Sequence, residues 1–197
     1  MYVAHVGDSR IVAGVKNRYN RIEPKALTID HKPSNRSEIE RIEKLGGQVL
    51  YKNGVPRVVW ARTKHSHTGP VRRSTHVDHI PFLAVARSLG DLWSYQFEHE
   101  DYLVSPEPDI THHIIDPEHH RFLVIGSDGL WNMMSVYDAV RQVEKYSWER
   151  ANKSGGRLLS HTISKQLVQT TINKWNARSL RADNTTAITI FFEFPRS

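Results

Sequence analysis

The chain has no cysteine among its 197 residues. That excludes disulfides, thiolate zinc sites and any mechanism that attacks through a thiolate, and it suits an intracellular protein. No apolar run approaches the roughly 20 residues needed to cross a bilayer. No charged-then-apolar leader opens the chain. There is no internal repeat, no low-complexity tract and no convincing linker. Acidic residues are in the minority: 21 Asp and Glu against 27 Lys and Arg, a net charge of +6. Such a balance favours anionic partners, namely phosphorylated protein, acidic membrane or nucleic acid. No nucleic-acid reader motif accompanies the charge, so that partner is the least supported, and no membrane partner is expected.

What is present, 39% apolar and 24% charged residues, is material for one globular domain. "MYVAHVGDSRIVAGV" reads as two strands turning at Gly7-Asp8, an opening hairpin. Asn35 and Glu38 form a capping box for a helix whose Ile39, Ile42 and Leu45 share a face and which ends at Gly46-Gly47. "RVVW" begins a short extended piece. Phe122 to Ile125 is a strand buried on both faces. Ser135 caps a helix carrying Val136, Ala139, Val140 and Val143. A longer helix is expected from about Arg157 to Lys174, with Leu159, Ile163, Leu167 and Thr170/Thr171 at helical spacing. A turn at Asp183-Asn184 precedes a last apolar strand. This mixture suggests an α/β or α+β sandwich rather than alternating βαβ units.

Three aspartates share one setting at strand ends: Asp8 in "VGDSR", Asp128 in "GSDGLW" and Asp183 in "RADNTT". Asp128 closes its strand and Asp183 opens one, so antiparallel neighbours would bring both carboxylates to one sheet edge. Gathered carboxylates repel and call for a hard cation, and oxygen-only ligands suit Mg²⁺ or Mn²⁺ better than zinc. Each Asp taken alone also serves as an ordinary turn residue. Ala61–Ile80 has no sustained period and sets Arg62, Lys64, Arg72 and Arg73 against the single acid Asp78, a basic loop. Paired Arg72 and Arg73 offer forked guanidinium groups suited to phosphate oxygens; a solvated loop with incidental charge is the alternative. His65, His67, His76 and His79 lie too loosely for a zinc motif. "THH" and "EHH", at 111–113 and 118–120, read as surface polar sequence, and Trp93, Trp131 and Trp148 as core or rim packing.

In order, "VAHVGDSR", "TIDHKP", "GGQV", "FLAVARSLGD", "LVIGSDGLWN" and "RADNTTAITI" resemble the successive motifs of the metal-dependent PPM (PP2C-type) protein serine/threonine phosphatases. The basic loop between Arg57 and Leu83, with "SPEPD" after it, resembles the delta branch, the p53-induced phosphatase type. The resemblance implies an α+β fold, a PP2C-like α-β-β-α sandwich of two antiparallel sheets, and hydrolysis of phosphoserine and phosphothreonine in proteins by a metal-activated water. It assigns Asp128 and Asp183 to a two-ion Mg²⁺ or Mn²⁺ centre and Asp8 to an additional, weaker position. It also places the basic loop beside the catalytic face, with Arg72 and Arg73 as substrate-binding residues for acidic or multiply phosphorylated peptides.

Asp30 and Asp91 match family positions and read as turn and scaffold residues. Asn132 stands where many relatives carry a further aspartate ligand, which weakens metal retention there. The family's upstream elements, the phosphate-binding Arg and the DGHGG segment with its general-acid His, have no counterpart in the sequence. Residues 1–197 are therefore expected to form the C-terminal portion of one phosphatase domain, poorly active alone, with Met1 starting an edge strand as the alternative reading of the abrupt opening. A non-catalytic phosphoprotein-binding relative is the rival function. Residence in the nucleus or cytoplasm, the nucleus favoured, follows from the branch resemblance.

Overall fold

The computed structural model describes residues 1–64, 66–72, 74–153, 160–178 and 181–194, with backbone only at 149–153 and 160–161. In chain order the first elements are β1 (Tyr2–His5), β2 (Arg10–Lys16), β3 (Ile22–Ala26), α1 (Arg36–Lys44), β4 (Val49–Lys52), β5 (Val55–Thr63) and β6 (Val77–Leu83). A 3₁₀ turn at Leu92–Ser94 leads to β7 (Tyr95–Gln96), β8 (Asp101–Tyr102), β9 (Asp109–His112) and β10 (His120–Gly126). Then come α2 (Asp128–Trp131), α3 (Val136–Lys153), α4 (Ser160–Ala177) and β11 (Ala187–Phe191). The fold is α+β. Among the described residues the strands form four sheets, and the pairings β11–β10, β10–β2, β2–β3, β4–β5, β5–β6 and β7–β8 are antiparallel.

The chain divides into two compact units: Met1–His5, Ser9–Ile29 and Ile110–Ser197 form one, Val6–Asp8 and Asp30–Asp109 the other. In the first, the four-stranded sheet runs β11-β10-β2-β3. Strand alternation sends Val12, Phe122 and Val124 to one face, where they pack with Leu130, Trp131, Val140, Val143, Ile163 and Leu167 of the helices,. Ala13 and Leu123 face the other way, with Leu27 and the partly buried Met1 and Phe192. With both faces occupied, β10 carries an unbroken apolar run from Phe122 to Ile125,. Pro24 lies in β3, an edge strand where its missing N–H breaks no ladder,.

The second unit packs Ile42, Val58, Ala86, Leu103 and Val104 between α1 and the sheet β4-β5-β6. Asn53 and Gly54, at φ 52° and 77°, make the left-handed pair of a tight β4–β5 hairpin,.

Several expectations need correction. The opening strands do not form a hairpin: β1 pairs with β9, while β2 joins β10 and β3, because the apolar β2 is covered on both edges that way. Asn35 is the N-cap residue of α1, but its side chain donates to the Asp30 carbonyl at 2.6 Å and makes no cap bond. Glu38 is drawn inward to two arginines instead of back to the cap. The basic loop is shorter than its composition suggested, since Ala61 to Thr63 pair with Val77 to His79 in the β5–β6 hairpin. His120 is buried in β10, its Nδ1 accepting the Asp116 N–H at 3.0 Å. Trp148 is 68% exposed rather than packed. The start of the long helix at Arg157 and Leu159 lies outside the described residues, as do His65 and Arg73. Ser135 does cap α3, its Oγ accepting the Asp138 N–H at 3.1 Å.

Gly14 lies at a tight point of the first core. A Cβ there would stand 2.4 Å from the Phe122 ring. Gly14→Ala is expected to destabilise the chain by about 1–3 kcal/mol, the usual range for overpacking, measured as a lowered denaturation midpoint with an unchanged m-value.

Candidate active site

Strand β10 ends at Gly126 directly opposite Ala187, where β11 begins. The ladder carries on past both ends: the Ser127 N–H donates to the Thr186 carbonyl at 3.2 Å. Ser127 Oγ donates to the Asn184 carbonyl and accepts the Thr186 N–H, each at 3.1 Å. Asp128 and Asp183 thus sit in the two segments leaving the same end of one antiparallel pair, as the sequence led one to expect.

Two buried indoles fix this edge. Trp131 Nε1 donates to the Gly126 carbonyl at 2.8 Å, and Trp175 Nε1 to the Gly129 carbonyl at 2.9 Å, so each buried N–H is satisfied while its ring fills the core. Gly129 is required by close approach: a Cβ there would fall 2.4 Å from the Asn184 carbonyl oxygen and 2.9 Å from Thr185 Oγ1. Asp183 is exposed, and its carboxylate accepts its neighbour's N–H at 2.7 Å. Asn132 is exposed at the end of α2, its N–H bonded to the Asp128 carbonyl at 2.8 Å.

Asp8 belongs to the second unit, where its carboxylate meets the Lys32 ammonium. The Gly7 N–H donates to His31 Nδ1 at 3.1 Å, and the His31 N–H returns to the Gly7 carbonyl at 2.9 Å. His31 Nε2, which therefore carries the ring proton, donates to Asp109 Oδ2 at 3.1 Å. Arg87 donates to Asp109 Oδ1 at 2.8 Å and to Glu38 Oε1 at 2.6 and 2.9 Å. Arg41 takes the other Glu38 oxygen at 3.0 and 3.1 Å and also donates to the carbonyls of Ala86, Tyr102 and Leu103. The Glu38 side chain is only 3% exposed. Burial is the largest single influence on it and pushes its carboxyl up, but the hydrogen bonds and charges of Arg87 and Arg41 together outweigh burial and hold it below 4.5,. Asp109 is held below its ordinary value chiefly by the hydrogen bond from His31.

Arg72 is exposed in the loop between β5 and β6, which is turned by reciprocal bonds between Arg72 and Thr75 at 2.9 Å. Asp91 behaves as scaffold, accepting from Ser88 and from Trp93 Nε1. Ser127, Gly129 and Trp175 were not singled out in the sequence, nor was the series Glu38–Arg87–Asp109–His31. Only the Asp-Gly dipeptide hinted at the first group. The second joins residues far apart in the chain, and no local pattern announces it.

Oxygen donors on adjacent strand ends fit a hard divalent cation in kind. In number they fall short, because no group of three or more His, Asp or Glu that could hold an ion occurs among the described residues.

The Protein phosphatase 2C family model matches residues 1–179. This chain belongs to that family. Probable protein phosphatase 2C 35 of Arabidopsis thaliana is 33% identical over 153 residues, 75% of this chain and 42% of the relative. Probable protein phosphatase 2C 48 of Oryza sativa subsp. japonica is 30% identical over 203 residues, 100% of this chain and 49% of the relative. The chain thus spans less than half the length of these relatives. A crystal structure of serine-threonine phosphatase 2C from Toxoplasma gondii has 30% identity and a TM-score of 0.72, covering 98% of this chain and 54% of the other. A C. elegans sex determining protein shares the fold alone, at 21% identity and a TM-score of 0.67. Asp183 lies beyond the family-model match but inside the alignment with the rice protein phosphatase 2C.

Two outcomes follow for this protein phosphatase 2C chain. Gly129→Ala should destabilise the β10–β11 edge by about 1–3 kcal/mol and raise amide exchange at Thr186 more than at Val12, read by hydrogen-exchange mass spectrometry or NMR. Glu38 has a folded pKa below its unfolded value, so its ion pairs contribute stability above about pH 4.5, and that contribution is lost as pH falls through the lower, folded value,. Denaturant melts taken between about pH 5 and about pH 3 should show this acid loss, and Glu38→Gln should remove part of it.

Proposed function

We propose that the chain carries part of the machinery for metal-dependent hydrolysis of phosphoserine and phosphothreonine in proteins. The single observation supporting this is that the segments carrying Asp128 and Asp183 leave the same end of the β10–β11 pair, joined there by Ser127 and Asn184. Asp128 and Asp183 would hold Mg²⁺ or Mn²⁺, two ions in the full centre, with Asp8 at an additional weaker position. Bound there, the ions supply an activated water and offset charge on the phosphoryl oxygens. The chain's own contribution is positional. Ser127 ties the two segments together, Gly129 lets them touch, and Trp131 and Trp175 keep the edge from shifting.

The basic loop, with Arg72 and Arg73, selects phosphorylated peptides that carry further negative charge. Taken alone, residues 1–197 hydrolyse little, a reading supported by the ammonium of Lys32 at Asp8. The same Lys32 contact favours a second reading, phosphoprotein binding without turnover.

Calorimetry with Mn²⁺ on the 197-residue chain should detect weak binding that Asp128→Asn or Asp183→Asn abolishes. A phosphopeptide assay should find turnover near background. Turnover at the level of a longer protein phosphatase 2C would overturn the impairment. Tight phosphopeptide binding that is insensitive to Mn²⁺ would favour the second reading. Arg72→Ala should weaken binding of a phosphopeptide with acidic neighbours several-fold more than one without them.

A further inference from the structure

The imidazole of His31 is 3% exposed, yet it touches the turn that carries Asp8 rather than filling the core alone. Both of its ring nitrogens are committed, Nδ1 to the Gly7 N–H and Nε2 to Asp109. Its backbone is committed too, since its N–H donates to Gly7 and its carbonyl accepts the Ala86 N–H at 2.8 Å. Gly7 has φ +92°, a conformation that L side chains rarely adopt,. The turn therefore needs outside support to keep one shape, and His31 holds it at both its N–H and its carbonyl. Asp109 fixes which nitrogen of the ring carries the proton, as a carboxylate does for a histidine that must present its other nitrogen as an acceptor. Asp109 is fixed in turn by Arg87, and Arg87 by the buried Glu38.

The geometry points to His31 as a positioning residue: its imidazole, oriented by Asp109, Arg87 and Glu38, holds the Gly7–Asp8 turn so that the Asp8 carboxylate presents itself to a cation. The cation it meets in this structure is the neighbouring Lys32 ammonium. A role toward a divalent ion at Asp8 depends on the metal-dependent reading proposed above. The hold on the turn does not.

The test uses two substitutions that divide the ring's functions. The Asn amide oxygen reaches the place of Nδ1, whereas the Gln amide reaches that of Nε2. In the 197-residue chain, the Gly7 amide should stay protected from hydrogen exchange in His31→Asn. In His31→Gln it should lose protection about tenfold or more, the worth of one hydrogen bond. The Ala86 and Ile39 amides report whether the unit remains folded and should change little in either variant. Asp109→Ala, at a side chain 47% exposed and so mild for folding, should give an intermediate loss at Gly7. Titration with Mn²⁺, followed as paramagnetic broadening of the Asp8 signals, should need several-fold more metal in His31→Gln than in His31→Asn.

Equal Gly7 exchange in the two His31 variants would overturn the proposal. So would a loss at Ala86 and Ile39 as large as that at Gly7, because that pattern belongs to a merely structural histidine. If Mn²⁺ leaves the Asp8 signals of the unsubstituted chain unbroadened, the metal reading fails at Asp8, and the exchange data alone decide whether His31 holds the turn.

Discussion

The register of β10 against β11 decides that the segments carrying Asp128 and Asp183 leave the sheet at the same end. Gly126 opposite Ala187 fixes that register. A shift of one residue along β11 would turn Ala187, Thr189 and Phe191 away from the helix-facing core that Val124 and Phe122 share with them,. The apolar alternation that builds the core of the first unit is therefore the same constraint that aligns Asp128 with Asp183. Ser127, bonded to both Asn184 and Thr186, extends the alignment past the last strand pair. Gly129 then allows the two segments to lie in backbone contact.

The second unit works by the opposite means. Glu38 is a buried acid with an arginine on each oxygen, and removing Glu38 would leave both guanidinium groups short of their partner,. Such networks fix geometry more than they add stability. Here the fixed geometry runs outward through Asp109 to His31 and ends at the Gly7–Asp8 turn. One unit orders its acids through strand register, the other through a buried ion pair.

A good share of this was legible in the residues. The buried strand at Phe122–Ile125, the Ser135 cap and the common edge for Asp128 and Asp183 all follow from periodicity and turn chemistry, and the structure has each of them. The capping box failed because local spacing cannot see that Glu38 has an arginine from Arg87 waiting 49 positions away. The opening hairpin failed for a related reason. Strand proximity in sequence is a prior, and burial of β2 between β10 and β3 outweighed it.

By itself the sequence determined the family, through ordered motifs, and the residue types available at each strand end, because the oxygen-only donor set and the absence of cysteine are properties of composition. Only the tertiary structure decided which acids meet which partners: Asp8 with Lys32, Glu38 between two arginines, Asp109 with His31 and Arg87. The physical reason is that electrostatic partnership depends on distance in space and on burial, and for residues tens of positions apart both are set by how strands pair and pack rather than by any pattern along the chain.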